Sequence, residues 1–489
     1  MQDFNRKEKK SLLKMLQESF SGLAECLEID LNQSYRLADK KVRLPLKNYP
    51  VQLNVGQSRS DLHIYPERPI NQPMRDIHAE NYIIFDPNQF YKSISGFIRL
   101  SSGDKIILGK NQGNQKNLIN LPQNLSARHL SIENDAGKLI FKSIDEKHGA
   151  CIAPLLKDKD LSRISKWRMA KLKRIRAIFG GKIERLSPDD ALKTIKQVNK
   201  LLESEAYREK DSRGKPGGVV EIPAGMSTFL VGDLHTKIDN LLVILSQNGF
   251  LEAMKKGRAC LVILGDAVHN EEEGELEEME SSLLIMDFIF KLKIHFPKQV
   301  FYLRGNHDSF SEEIGKRGVP QGMLWERTLI AERGEAYRDE MARFYRRLPY
   351  VAYSKRFIAC HAAPPVSSIT LKKLININDN KPLMNELVNN RLRRQNKPAG
   401  YFKREIKKFR ECFDLDKETP VIVGHTPMTD DATMWSDVGD IPNHHVIYAS
   451  HKDWVGVMVQ LGHKMLPLVY PAESLVPLIN SLDVKQKSK

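Results

Sequence analysis

Leu303-Arg304-Gly305-Asn306-His307-Asp308 closes the apolar run that starts at Val300. Four other fragments repeat this design. Gly232-Asp233-Leu234-His235 follows Phe229-Leu230-Val231, and Gly265-Asp266 follows Leu261 to Leu264. Cys360-His361-Ala362-Ala363 follows Arg356 to Ala359, and Gly424-His425-Thr426-Pro427 follows Val421 to Val423. Short apolar runs that stop at or near a small residue and then present Asp, Asn or His read as buried strands delivering polar side chains from their carboxyl ends. Oxygen and imidazole donors without thiolates suit hard or borderline divalent ions such as Mn, Fe or Zn. One Asp-x-His alone means little. Five such ends in this order point to a pair of cations.

The surrounding chain sets bounds on that reading. Its 489 residues exceed one ordinary core, which predicts two or three domains. A net charge of +15 (76 basic minus 61 acidic residues) favours an anionic partner without choosing between phosphoprotein, nucleic acid and acidic lipid. The five cysteines, Cys26, Cys151, Cys260, Cys360 and Cys412, are scattered, with neither a disulfide framework nor a Cys-x-x-Cys pair, as in a reducing compartment. Met1 to Phe20 lacks the apolar core of a signal peptide, and no run reaches the roughly 20 apolar residues of a membrane span. A cytoplasmic site of action is the expectation.

Residues 5 to 28 space Leu12, Leu13, Met15, Leu16, Phe20, Leu23 and Leu27 as one amphipathic helix within an N-terminal extension, 1–45. From 46 to 156 short apolar alternations broken by Gly, Asn, Asp and Pro predict an all-β domain. A basic helical linker follows over 157–215, with Lys166 to Arg176 as its densest part. Its charges read as a solvated helix face, since no nucleic-acid fold motif accompanies them. Strand–helix alternation over 216–475 predicts an α/β sandwich of two mixed sheets flanked by helices. A tail, 476–489, ends the chain.

Two cations about 3.5–4 Å apart polarise phosphoryl oxygens and activate water, which requires a bridging carboxylate, further ligands and an acid for the leaving group. The five fragments supply each type of residue. Together they resemble the calcineurin-like metallophosphoesterases, and within them the PPP-type phosphoprotein phosphatases, over roughly Pro216 to Pro471. That resemblance implies Asp233 and His235 at the first metal, Asp266 as the bridge, and Asn306, His361 and His425 at the second. His307 is then the general acid, and a metal-bridging hydroxide attacks phosphorus in line. Many phosphodiesterase relatives end in Gly-His-x-His. Pro427 stands at that last position here, as in the PPP-type enzymes, which favours phosphomonoesters.

One departure concerns the substrate. The PPP pattern places an Asp and an Arg three and four residues after the bridging Asp, to orient the acid and grip the phosphate. This chain has His269 and Asn270, followed by the acidic run Glu271 to Glu280. Arg391, Arg393 and Arg394 are the candidate replacements for that grip. The acidic run reads as a solvated loop and helix start rather than a metal site, with docking of a basic segment, a substrate or the chain's own linker, as the alternative. His295, His444, His445, His451 and His463 default to packing or surface roles.

In the β domain, Leu108-Gly109-Lys110, Ser126-Ala127-Arg128-His129 and Asp145 to Ile152 resemble the loops of forkhead-associated (FHA) domains. The resemblance implies a phosphopeptide site at Lys110, Ser126 and His148, with Lys110 and His148 in place of the usual Arg and Asn, and a structural role for His129. A lysine binds phosphate as a point charge and cannot form the planar fork of an arginine. The full expectation is a dinuclear-metal phosphatase of Ser/Thr or Tyr phosphoproteins with an FHA-like targeting domain. Its rivals are a dinucleoside polyphosphate hydrolase and a phosphoprotein-binding scaffold with a degenerate phosphatase domain. The pairing of the two domains also resembles phosphatases that intracellular bacteria deliver into host cells as effectors.

Overall fold

A computed structural model describes residues 26–56, 60–66, 81–86, 98–110, 119, 121, 125–145, 147, 149–155, 159–247, 249–393, 399–430, 432–461 and 464–482. The expected N-terminal helix up to residue 25, His148, Arg394, His463 and the tail beyond 482 lie outside the described residues. The chain divides into two compact units, Met1–Ile164 and Ser165–Lys489.

The described strands of the first unit are β1 (Leu27–Glu28), β2 (Tyr35–Leu37), β3 (Val42–Arg43), β4 (Val51–Val55), β5 (Ser60–Pro66), β6 (Tyr82–Phe85), β7 (Ile98–Leu100), β8 (Lys105–Leu108), β9 (Leu130–Asp135), β10 (Lys138–Ser143) and β11 (Ala150–Pro154). One sheet runs β1-β3-β10-β9-β8 and the other β2-β11-β4-β5-β6-β7. Val51, Leu53 and Val55 are buried while Gln52 and Asn54 between them are not, the period of two that one buried sheet face imposes. Leu53, Ile64 and Ile84 of one sheet share an apolar cluster with Ile132, Leu139 and Phe141 of the other. This face-to-face packing is a β-sandwich. Ala136 and Gly137, both at positive φ, join β9 to β10 in the two-residue turn that matches strand twist.

The helix expected over residues 5 to 28 does not extend to its end. Leu27–Glu28 pairs in parallel with β3, because the Leu27 and Ile29 N–H groups donate to Lys41 and Arg43 carbonyls at 2.9 and 3.0 Å. Sheet pairing overrides helical periodicity there. His129 is fully buried, its Nε2 2.8 Å from the Gly149 carbonyl and its Nδ1 3.5 Å from the Asp145 carboxylate. Lys110 is exposed and its N–H donates to the Ser126 carbonyl at 3.0 Å, so the two loops meet. The Ser126 hydroxyl donates to the Arg128 carbonyl at 2.9 Å.

Most of α1 (Lys159–Phe179) and all of α2 (Pro188–Leu202) belong to the second unit. The residues expected to form a linker pack into this unit instead of standing apart. Lys171 is buried and donates to Glu252 at 2.8 Å, while Arg176 donates to the carbonyls of Ile479, Asn480 and Leu482. Ser187 caps α2 by accepting the Asp190 N–H, with Pro188 in the first turn.

The strands of this unit are β12 (Arg208–Lys210), β13 (Pro216–Glu221), β14 (Ser227–Val231), β15 (Ala259–Ile263), β16 (Val300–Tyr302), β17 (Val351–Ser354), β18 (Phe357–Cys360), β19 (Val421–Val423), β20 (Met434–Trp435), β21 (His444–Ile447), β22 (Trp454–Leu461) and β23 (Lys464–Pro471). They form one sheet ordered β12-β13-β17-β18-β19-β21-β20 and a second ordered β16-β15-β14-β22-β23, both mixed. Leu230, Val262 and Phe301 of one sheet meet Ala359, Ile422 and Ile447 of the other in a common apolar cluster.

Helices cover the outer faces. They are α3 (Ile238–Ser246), α4 (Phe250–Lys255), α5 (Glu280–His295), α6 (Gln321–Arg333), α7 (Glu335–Arg347), α8 (Leu371–Ile375), α9 (Lys381–Asn389), α10 (Lys403–Cys412) and α11 (Val476–Ser481). α3, α4 and α5 lie against the smaller sheet. α8, α9 and α10 place Leu374, Leu387 and Phe409 against the larger one. α2 packs on α5, α6 and α7. The expected α/β sandwich is therefore present, and the carboxyl ends of β14, β15, β16, β18 and β19 carry the five polar fragments.

Candidate functional site

The polar fragments meet because their backbones approach too closely for any side chain at two glycines. A Cβ on Gly305 would sit 2.1 Å from Asp266 Oδ1, and one on Gly424 would sit 2.2 Å from Asp233 Oδ1. His307 N–H donates to Asp266 Oδ1 at 2.8 Å, and His425 N–H donates to both Asp233 oxygens at 3.0 and 3.1 Å. His235, Thr236, Asp266, His269 and His425 all hold positive φ, a conformation L-residues adopt at a cost and keep where surroundings over-determine it.

Two donor groups result. His235, Asp266 and His307 bring one ligand atom each within 4.8 Å of one another, and Asp266, His361 and His425 do the same. Asp266 belongs to both, as a bridging carboxylate must. His361 Nδ1 lies 2.8 Å from the Leu264 carbonyl, which turns Nε2 toward Asp266 Oδ2 at 3.2 Å and Asn306 Oδ1 at 2.9 Å. His235 Nδ1 meets the carbonyls of Val268 and His269 at 3.2 and 3.1 Å, leaving Nε2 3.8 Å from Asp233 Oδ2. Backbone carbonyls that fix one imidazole nitrogen and free the other are typical partners of metal-ligating histidines.

The electrostatics fit the same occupant. Burial pushes Asp233 up to about 6, His361 opposing and Asp266 adding to the rise. Burial would also raise Asp266, but the charges of His361 and His307 hold it below the usual carboxylate range. Burial lowers His361, yet Asp266 and Asp233 outweigh it and lift the ring to about 9. His425 is driven well down by burial first and then by His361 and Arg391, and its buried Nε2 has no hydrogen-bond partner. A cluster of buried carboxylates and imidazoles with an orphaned nitrogen is costly unless cations complete it. The residues present fit a pair of divalent ions.

His307 meets a partner that sequence reasoning treated as a loss. Its Nδ1 lies 2.8 Å from Nδ1 of His269, the fully buried residue standing where an Asp was expected. Burial brings His307 down to about 4, with Asp266 opposing and His235 adding to the fall. Asn270 shapes the loop: its side chain donates to Glu275 at 2.7 Å and accepts the Glu272 N–H at 3.0 Å. Asp308 braces both ligand loops, accepting from Gly305 N–H at 2.7 Å and from the Tyr302 hydroxyl at 2.8 Å. Tyr302 in turn accepts the Ala267 N–H at 3.0 Å.

Residues 226–455 match the model of the calcineurin-like phosphoesterase family. This segment is a calcineurin-like metallophosphoesterase domain. Domains of this family normally bind two divalent cations, in keeping with the two donor groups here. Among solved structures, a protein serine/threonine phosphatase from Saccharomyces cerevisiae is 15% identical with a TM-score of 0.43, covering 59% of this chain and 90% of its own. A cold-active protein-tyrosine phosphatase of a psychrophilic Shewanella is 14% identical with a TM-score of 0.35, covering 52% of this chain and 82% of its own. None of the curated proteins matches the chain.

The metallophosphoesterase domain gathers Asp233, His235, Asp266, Asn306, His307, His361 and His425 in one place. Of the three arginines, Arg391 is exposed and close enough for its charge to depress His425. Arg393 donates to the Gly400 carbonyl at 2.8 Å and is engaged in its own loop. His444 and His445 serve packing: His444 Nε2 lies 2.8 Å from the Tyr401 hydroxyl and His445 Nδ1 3.0 Å from Ser436 Oγ. Sequence reasoning missed Glu271 and Tyr448, which join the site from an acidic loop and from the end of β21. Only the acidic run could have signalled the first, and nothing local marks the second. Among the described residues, no helix is long and apolar enough to cross a membrane.

Proposed function

We propose that the metallophosphoesterase domain hydrolyses phosphomonoesters on proteins. Asp233, His235 and Asp266 would hold one divalent cation, and Asp266, Asn306, His361 and His425 a second. Bound there, the cations would neutralise phosphoryl charge and lower the pKa of a nucleophilic water. The observation that carries this reading is the convergence of four other strand ends on Asp266, whose Oδ1 accepts the backbone N–H of His307.

The side chains divide the remaining work. His307 Nδ1 is taken up by His269, so Nε2 is the nitrogen left for the leaving oxygen. The free ring is neutral near pH 7, and an arriving phosphate dianion favours its protonation before it acts as general acid. Arg391, whose charge reaches His425, would be the cation that meets the phosphate. Pro427, in place of a further histidine, supports monoesters over diesters. In the first unit, the meeting of Lys110 with Ser126 supports a phosphopeptide-binding role that would bring phosphorylated partners to the enzyme.

The test loads purified protein with Mn, Fe or Zn and assays phosphoserine, phosphothreonine and phosphotyrosine peptides beside dinucleoside polyphosphates. Turnover of the peptides, abolished by Asp266→Asn, is the expected result. Turnover of the nucleotides alone would replace this reading with the polyphosphate one.

A further inference from the structure

We propose that Glu271 is an additional ligand of the cation site built on Asp233 and His235. The inference rests on the dinuclear reading above and adds a residue to it.

His235 presents only Nε2 to the site, since two carbonyls occupy Nδ1. Two carboxylate oxygens flank that nitrogen: Asp233 Oδ2 at 3.8 Å and Glu271 Oε1 at 3.6 Å. Both separations are too long for a good hydrogen bond. Both are the spacing of donors that share one cation through bonds of about 2.0–2.2 Å. An imidazole nitrogen that faces two carboxylate oxygens and is hydrogen-bonded to neither keeps its lone pair for a cation.

The loop is built to deliver this one carboxylate inward. Gln321 Nε2 donates to the Asn270 carbonyl at 2.7 Å, and the Asn270 side chain accepts the Glu272 N–H, fixing the backbone on both sides of Glu271. Its neighbours turn outward, Glu272 to Lys237 and Glu273 to Arg317. Side-chain exposure separates them: 24% for Glu271, 46% for Glu272 and 84% for Glu273. The buried Tyr448 hydroxyl donates to Glu271 Oε2, and Tyr448 bridges Asp233 by backbone pairing. A hydroxyl that grips one oxygen orients the other, as outer partners of ligating carboxylates do. Lys316 balances charge on Oε1 at 3.0 Å, and its side chain, 38% exposed, has room to swing outward.

The test measures Mn stoichiometry by plasma mass spectrometry and site affinities by calorimetry, with thermal melts as the folding control. Wild type should bind two equivalents. Glu271→Gln should weaken one site by at least about tenfold and leave the other unchanged. Tyr448→Phe, which removes only a hydroxyl, should weaken the same site by a smaller factor and serves if Glu271→Gln does not fold. Glu272→Gln and Lys316→Met should leave both sites at least as tight as in wild type. Unchanged affinities in Glu271→Gln or Tyr448→Phe would overturn the proposal. So would Lys316→Met weakening the site as much as Glu271→Gln, which would reduce Glu271 to a salt-bridge partner. Wild type that binds no cation overturns the dinuclear reading together with this one.

Discussion

His129 in the β-sandwich and His361 in the metallophosphoesterase domain are both fully buried histidines just past or before a strand. Their surroundings differ in one respect. His129 holds Nε2 against the Gly149 carbonyl and faces the Asp145 carboxylate with Nδ1 at 3.5 Å, both partners lying within 20 residues of it in the chain. His361 gives one nitrogen to a carbonyl and turns the other toward two further donors, Asp266 and Asn306, that compete for the same space. The backbone repeats the contrast. Among described non-glycine residues, the sandwich holds only Ala136 at positive φ, in a hairpin turn, whereas the second unit holds several at its ligand loops. Burial of a polar group therefore says little until the free valences are traced. In the sandwich they stay within neighbouring loops, and in the second unit they converge from several strand ends on one place.

Substitutions can break this comparison. The largest effect belongs to Asp266→Asn, which should bring p-nitrophenyl phosphate turnover below detection while the melting profile keeps its shape. Residual turnover near wild type would show that the two donor groups do not share this carboxylate. His307→Ala should cost roughly 10²–10⁴-fold in kcat on phenyl phosphate, whose poor leaving group needs an acid. The loss should shrink on p-nitrophenyl phosphate, and equal losses on both would remove the acid role.

A third effect is protonic. His361 stands at about 9 because Asp266 and Asp233 outweigh burial, so near pH 7 the ring carries a proton that a cation must displace. Affinity for that cation should fall about tenfold for each pH unit below 9, and calorimetry in two buffers of different ionisation enthalpy should report a released proton. Buffer-independent heats would contradict it. The smallest effect sharpens the contrast from the other side. His129→Ala should destabilise the sandwich by about 1–3 kcal/mol, by leaving buried partners unmet, with no change in phosphatase turnover. A loss of turnover there would end the separation drawn here.

Much of the site was legible in the chain because its parts obey local rules. Apolar runs ending in Gly-Asp or Gly-Asn-His predict strand ends, and β14, β15, β16, β18 and β19 end no more than three residues before those fragments' glycines or His361. The alternation at Val51 to Val55 likewise predicts a strand with one buried face. Lys166 to Arg176 was less legible. Spacing reveals a basic helix, but only the location of Glu252 and of the carbonyls near Leu482 shows that Lys171 and Arg176 are held by their own unit. The acidic run misled for a related reason. Charge alone predicts solvation, and it does not show that one glutamate in the run turns inward to a tyrosine 177 residues away.

Sequence by itself determined the kinds of donor, their order and their place at strand ends, since these follow from hydropathy and side-chain chemistry read a few residues at a time. Tertiary structure alone decided which donors come within reach of one another, that His269 meets the ring of His307, and that Glu271 faces His235. Those outcomes depend on distances between residues far apart in the chain, which sheet order and loop geometry set and no local pattern encodes.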